Sequence, residues 1–156
     1  MLLSESGELI LLWGIPLNKE MDDIKKKVEA ERGVSVLVPE MRPHLLGSVI
    51  AKRLQKKRIK HVYITDNMLG ILFYQHKIKE VLFFYKERGD HHWWGINGSL
   101  YVCLLAHMHD VPIQPLQGDT VIRAAEISLS LDDYMCFHYN DLIKAEDEAV
   151  PDEVIQ

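Results

Sequence analysis

The chain has no hydrophobic run long enough to cross a membrane as a helix. Its longest strictly apolar runs, residues 9–13 and 81–85, fall far short of the ~20 residues that a bilayer requires. It has only two cysteines, too few for a disulfide framework. The first ten residues also lack the basic start of a signal peptide. We therefore expect a cytoplasmic protein without a membrane partner.

The sequence has no overall excess of basic residues. The formal net charge of the 156 residues is −5, and residues 141–156 alone account for it with six acidic residues against one lysine. Residues 1–140 are therefore neutral, and we expect no nucleic-acid partner. Because the length suits one domain, we assign residues 1–140 to a single domain and residues 141–156 to an acidic C-terminal segment.

Strand-like and helix-like segments alternate along the chain. We predict strands over residues 8–13, 34–38, 61–65, 81–85 and 111–116, and helices over residues 19–32, 45–58, about 66–73 and 99–109. Asn18 is the expected cap of the first helix. Repeated strand–helix–strand units imply parallel strands with helices on both faces. The predicted fold class is α/β, with a doubly wound, mainly parallel, Rossmann-like sheet.

The last predicted helix contains residues that suit either a core or a metal site. Cys103 and His107 share one helical face, and His109 follows closely. A zinc site needs three or four converging ligands, so we assign Cys103 to the core and expect neither a metal nor another cofactor. The residues that we expect to pack inward are Leu100, Leu104, Leu105 and Met108.

Polar residues follow the predicted strands at the edge where open parallel sheets bind ligands. Arg42 can bind a phosphate together with backbone N–H groups of the next helix, or it can pair with Glu40 or Asp66 and lock the loop. Asp66 and Asn67 can hold sugar hydroxyls, while Asp66 alone can cap the following helix. These alternatives remain open from the sequence.

The most unusual string, residues 88–95 (R-G-D-H-H-W-W-G), follows the fourth predicted strand. Its two histidines offer a general base near neutral pH, and its two tryptophans can stack on a ligand. A loop that fills the pocket or forms an oligomer contact explains the same residues, and we favour that interpretation. The basic stretch at residues 52–60 is interpreted as a solvated helix face.

Two strings in the chain match motifs of a known family: residues 38–43 (V-P-E-M-R-P) with Leu46 and Gly47, and residues 64–70 (I-T-D-N-M-L-G). They resemble the D/E-x-R-P…G and I-T-D-N/S-M-A-G/A segments of the family of initiation factor 2B regulatory subunits and methylthioribose-1-phosphate isomerases. Residues 97–99 and 110–112 are similar to K-I-G-T…I-P, and residues 137–143 to F-D-x-T-P-P-E-L-I. The resemblance covers roughly residues 34–145, and full family members are about twice the length of this chain.

The chain departs from this family at the catalytic positions. The isomerases of the family have an acid–base cysteine upstream of the segment that corresponds to Val34, whereas no cysteine precedes Cys103 in this chain. Their catalytic aspartate belongs to a G-A-D-R motif, and Lys86 lies nearest its position here. The family's asparagine–lysine pair is also replaced, by Gly95 and Ile96 or by Ile96 and Asn97 depending on a one-residue gap. Isomerisation of an aldose to a ketose needs both an acid and a base, so the known mechanism does not transfer.

The resemblance implies a non-catalytic domain that binds a phosphate, sugar phosphate or nucleotide phosphate, that pairs with a second copy or a related subunit, or that does both. The alternative is a divergent sugar-phosphate isomerase whose acid–base residues have moved to Asp90, His91, His92 or Lys86. The candidate ligand-binding residues are Glu40, Arg42, Asp66, Asn67, Arg88, Asn97, Gly98 and Ser99.

Overall fold

The computed structural model describes residues 7–120 and 147–156. Cys136 and the segment at residues 137–143 therefore lie outside the described residues, as does the first part of the acidic C-terminal segment. Among the described residues, no helix is both long enough and apolar enough to cross a bilayer.

The observed elements follow the predicted alternation. The strands are β1 (Glu8–Trp13), β2 (Val34–Pro39), β3 (His61–Ile64), β4 (Ile78–Tyr85), β5 (Glu87–Arg88), β6 (His92–Gly95), β7 (Ile113–Gln117) and β8 (Glu148–Pro151). The helices are α1 (Asn18–Ala30), α2 (Leu46–Lys56), α3 (Leu69–Tyr74), α4 (Ser99–Met108) and α5 (Asp152–Ile155), with a 3-10 turn at Asp66–Met68 before α3. Asn18 begins α1 but does not cap it, since the helix start has no capping side-chain hydrogen bond.

The main sheet has five parallel strands in the order β3-β2-β1-β4-β7. The central strand β1 places Leu11 beside Leu37 of β2 on one side and Val81 of β4 on the other. Because helices cover both faces of such a sheet, residues 9–13 are all buried. The prediction of a doubly wound, mainly parallel α/β fold is confirmed.

Two helical layers cover this sheet. The chain moves outward from β1 to β3 and then returns to β4 and β7, so right-handed crossovers put α1 and α2 on one face and α3 and α4 on the other. A hydrogen bond of 2.6 Å from Lys57 Nζ to Asp22 Oδ1 links α1 to the end of α2. In the other layer, the rings of Phe73 and His109 stack at a centroid distance of 6.0 Å.

The helices α2, α3 and α4 all end with a residue in the left-handed conformation, at Arg58, His76 and Asp110. In each case the next residue returns its N–H to the last turn, as Ile59 does to the Leu54 carbonyl oxygen at 2.9 Å. Glycine is the usual residue at this position because it has no Cβ. These three helix ends therefore carry a local strain.

A small antiparallel sheet, β5-β6-β8, adjoins the main one. The sequence indicated a loop after β4, whereas the structure has a hairpin there, closed by the Gly89 N–H on the His92 carbonyl oxygen at 2.9 Å. Strand β8 pairs with β6 and sets Val150, fully buried, opposite Trp93. Because this pairing joins segments more than 50 residues apart in sequence, no local pattern predicts it.

The predicted inward face of α4 is wrong at two positions. Leu104 is 39% exposed and Met108 is 72% exposed. The residues that α4 buries completely or nearly so are Ser99, Val102, Cys103 and Ala106. The periodicity was uninformative here, because most residues around the whole helix are apolar. The assignment of Cys103 to the core is confirmed.

Candidate functional site

Asp66, at the carboxyl end of β3, holds the loop that follows β2. Its carboxylate accepts hydrogen bonds from the backbone N–H groups of Met41 and Arg42, both at 2.8 Å. Burial raises the pKa of Asp66, and these two backbone hydrogen bonds oppose that shift. Asp66 does not cap the following turn, whose start has no capping side-chain hydrogen bond. Its structural role is therefore to fix the neighbouring loop.

The same loop is closed by a second set of local contacts. Arg42 Nε donates to Glu40 Oε1 at 2.9 Å, while the Arg42 side chain remains 60% exposed. Gly47 donates its N–H to the Glu40 carbonyl oxygen at 3.1 Å, and a Cβ at Gly47 would lie only 1.8 Å from the Pro39 carbonyl oxygen. The interpretation of Arg42 as the partner of Glu40 matches this geometry, and phosphate binding by Arg42 stays a prediction.

Asn67 lies beside this cluster on the exposed side. The Thr65 hydroxyl donates to Asn67 Oδ1 at 2.6 Å. The structure thus brings Glu40, Arg42 and Asp66 into contact and places Asn67 directly after them in the chain. The polar side chains at the ends of β2 and β3 are therefore hydrogen-bonded to one another and to the backbone of the loop after β2.

Backbone fills the point where the strand order reverses, between the carboxyl ends of β1 and β4. After β7 the chain crosses over these strands, with the Gly118 N–H on the Tyr85 carbonyl oxygen and the Asp119 N–H on the Ile15 carbonyl oxygen, both at 2.8 Å. A Cβ at Gly14 would lie 2.2 Å from the Phe84 carbonyl oxygen. The crevice where such folds usually hold a ligand is therefore occupied by the chain itself.

Ser99 lies beneath the surface of this edge. Its hydroxyl is fully buried, accepts a hydrogen bond from Trp13 Nε1 at 3.2 Å and donates to the Ile96 carbonyl oxygen at 2.6 Å. The hydrogen bond from Trp13 anchors the start of α4 to β1, and the one to Ile96 closes the turn before the helix. A direct contact between this hydroxyl and a ligand would require the loop to open.

Two cationic residues follow β4, Lys86 just before the β5–β6 hairpin and Arg88 in β5, and each binds a carboxylate of the C-terminal segment. Lys86 Nζ lies 2.7 Å from Asp147 Oδ1, and the Arg88 guanidinium donates to both oxygens of Asp152 at 2.6 and 3.0 Å. The hydrogen bond from Arg88 holds the pKa of the Asp152 carboxyl below its usual value. Arg88 also lies over the Trp93 ring, 4.0 Å from its centroid, a cation–π contact.

The N-terminus of α4 binds a third carboxylate from the same segment. The Gly98 N–H donates to Glu148 Oε2 at 2.8 Å, and the Leu100 N–H donates to Glu148 Oε1 at 3.2 Å. These N–H groups carry the positive end of the helix dipole, which favours anions. Three anion-binding groups at this edge are therefore filled by Asp147, Glu148 and Asp152.

The candidate catalytic residues lie on the β5–β6 hairpin and just before it. Asp90 and His91 are exposed in its turn. The His92 ring packs edge-on against Trp94 at 5.0 Å, and Lys86 is in its ion pair. Asn97 is half-buried beside Gly98.

The described residues give no metal site, since none of their histidine, cysteine, aspartate and glutamate side chains gather in groups of three or more. Burial raises the pKa of the Cys103 thiol to about 12, so the thiol stays protonated at neutral pH.

An exposed apolar surface lies on the outer side of the second helical layer. We call it the α3–α4 face, formed by Ile71, Tyr74, Tyr101, Leu104 and Met108. The two helices adjoin there, since a Cβ at Gly70 would lie 4.0 Å from the Tyr101 hydroxyl oxygen. The spacing of residues 101, 104 and 108 in the sequence marks one helical face, but the sequence does not show that this face is the outer one.

The fold and this edge define a Rossmann-like domain with its usual ligand crevice closed. Residues 19–84 match the model of the initiation factor 2 subunit family. Translation initiation factor eIF-2B, subunit delta, from A. fulgidus has 16% identity and a TM-score of 0.76, with 96% of this chain and 50% of that chain covered. The resemblance seen in the sequence is confirmed, and the chain spans about half the length of this solved structure.

A second solved structure has the fold of this chain but is named as an enzyme. It is 5-methylthioribose 1-phosphate isomerase from Pyrococcus horikoshii OT3, with 12% identity and a TM-score of 0.70, where the match covers 96% of this chain and 48% of that chain. At such identities the likeness concerns the fold alone. No curated protein sequence matches the chain.

Proposed function

We propose that this chain is a non-catalytic subunit-association domain, which pairs with a second copy of itself through the α3–α4 face. The observation that carries the proposal is the exposure of five large apolar side chains on two adjoining helices, with Tyr74 at 70% and Met108 at 72%. Soluble monomers rarely expose contiguous apolar patches larger than roughly a few hundred Å². Contact with another protein removes such a surface from water.

The composition of the face favours a second copy as the partner. The exposed residues of α3 and α4 include no aspartate, glutamate, lysine or arginine. In a two-fold dimer the same patch meets itself, so a charged patch would oppose like charges while an uncharged apolar one is self-complementary. The aromatic residues Tyr74 and Tyr101 are of the type enriched in interface centres.

The comparisons support association as well. A. fulgidus subunit delta is named as a subunit of its factor, and this chain shares its fold. The chain spans about half the length of these structures. A related subunit is the alternative partner, and the experiment below distinguishes it from a second copy of this chain.

The test is sedimentation velocity of the purified chain over a range of concentrations. We expect a dimer, which Leu104→Glu converts to a monomer because a charge is buried at the contact. The matched control is Lys52→Glu, at an exposed position of α2 in the opposite layer, which leaves the dimer intact. A chain that is monomeric at every concentration would contradict self-association and leave a related subunit as the partner to seek.

A second candidate function, binding of a phosphate or sugar phosphate at the carboxyl edge, is favoured by one observation. Lys86, Arg88 and the N-terminus of α4 each bind a carboxylate there, so this edge has the chemistry for anions. Relocated isomerase chemistry has no comparable support, because Lys86 is engaged in an ion pair and the hairpin turn leaves Asp90 and His91 exposed.

A further inference from the structure

We propose that the segment at residues 147–156 acts as a built-in acidic ligand of the carboxyl edge, so that a phosphate binds there only in competition with Glu148 and Asp147. The proposal rests on the second candidate function above, the capacity of this edge to bind anions. It adds the regulation of that site by the chain's own C-terminal residues.

The first argument is that one short segment fills three separate anion-binding groups. Its carboxylates reach Lys86, the N-terminus of α4 and Arg88, with donor–acceptor distances between 2.6 and 3.2 Å. These groups come from the end of β4, the start of α4 and the β5–β6 hairpin. A segment that matches all three complements this part of the edge.

The second argument concerns how the segment is attached. Val150 is fully buried and Val154 nearly so, and β8 pairs with β6 from Glu148 to Pro151. Within this anchor the buried valines lie at positions 150 and 154, while Glu148 is the first paired residue of β8 and Asp147 precedes the strand. Their side chains can therefore leave the edge while the valines stay packed.

The third argument is chemical. Glu148 receives two backbone N–H groups of one helix N-terminus with its two oxygens, and a phosphate uses the same donors in the same position of a helix. Lys86, bound to the adjacent Asp147, supplies a positive charge to either anion. Carboxylate and phosphate cannot share these donors, so binding of one excludes the other.

The test uses the full chain and inorganic phosphate as the probe, in a thermal-unfolding assay at constant ionic strength with chloride as the reference salt. For the double variant Asp147→Asn, Glu148→Gln, we expect phosphate at 100 times its dissociation constant to raise Tm by roughly 5–10 °C. The wild-type chain gives a much smaller rise at the same phosphate concentration. Glu153→Gln is the matched control, since Glu153 is exposed in α5 and the change removes the same charge.

Two results would overturn the proposal, and they differ in what else they remove. An equal Tm rise in the wild type and the double variant means that the edge binds anions but that the segment does not compete. No rise in either protein means that the edge is not an anion site, which also removes the second candidate function. Loss of the rise on adding Lys86→Gln to the double variant places the phosphate at this edge.

If the double variant does not fold, Glu148→Gln alone provides the same comparison. Phosphorus NMR of the single variant then measures binding directly, as line broadening of inorganic phosphate that the wild-type chain produces only at higher protein concentration. Equal broadening by the two proteins contradicts the competition.

Discussion

The two helical layers of this domain have similar inner sides and opposite outer sides. Both bury apolar side chains against the sheet, such as Ile50 of α2 and Val102 of α4, each fully buried. On the outside, α1 and α2 expose charged and polar residues with a single alanine, whereas α3 and α4 expose the α3–α4 face and, beside it, His107. The inner sides explain the fold, and the difference between the outer sides indicates where a partner binds.

The largest expected effect tests the similarity of the inner sides. Ile50→Ala in α2 and Leu72→Ala in α3 each remove a fully or almost fully buried side chain. We expect each to lower the free energy of unfolding by about 2–5 kcal/mol, the sum of lost burial and a cavity. Urea denaturation measures both. A loss below ~1 kcal/mol for one of them would mean that its layer is not packed on the sheet.

A smaller effect tests whether the two layers also end their helices alike. Arg58 follows α2 and Asp110 follows α4, with φ of 56° and 55°. Because glycine adopts this conformation without steric cost, we expect Arg58→Gly to raise the free energy of unfolding by roughly 0.5–1 kcal/mol.

For Asp110→Gly the gain is smaller, since aspartate tolerates the left-handed region better than arginine. Urea denaturation of the two variants checks the order. A destabilised Arg58→Gly chain contradicts the strain assigned to this helix end.

The smallest effect concerns the charged layer. Lys57 holds the pKa of the Asp22 carboxyl below its usual value, mainly through a hydrogen bond. A carboxyl with a lowered pKa in the folded chain stabilises it above the unfolded pKa, near 4, and this contribution disappears as the pH falls through the folded pKa.

We therefore expect Asp22→Asn to lower the urea midpoint slightly at pH 7 and to leave it unchanged at pH 2.5, and we expect salt to weaken the effect. Urea titrations at the two pH values make this comparison. An equal loss at both pH values would assign the effect to packing instead of charge.

Much of the fold follows from local patterns in the sequence. The alternation of buried strands and amphipathic helices predicts the parallel sheet, and Gly47 and Asp66 fall in strings that resemble a known family. The structure shows why these residues suit their places, because Gly47 lies against the Pro39 carbonyl oxygen and Asp66 holds the neighbouring loop.

The remaining features depend on contacts that no local pattern contains. The partner of Asp66 lies 24 or 25 residues away, and Glu148 reaches Gly98 across 50 residues. The sequence of α4 also does not show which side of the helix faces the sheet, because the helix is apolar on most of its sides. The prediction that Leu104 and Met108 pack inward was wrong for that reason, and the α3–α4 face was not predictable.

The most direct test of the difference between the layers is hydroxyl-radical footprinting of the chain at low and at high concentration. We predict that Tyr74 and Met108 lose reactivity as the concentration rises, because a second copy covers them. Trp94, on the hairpin and 36% exposed, keeps its reactivity and serves as the internal control. Unchanged reactivity of Tyr74 and Met108 at a concentration where the chain is dimeric would contradict the assignment of the α3–α4 face as the association surface.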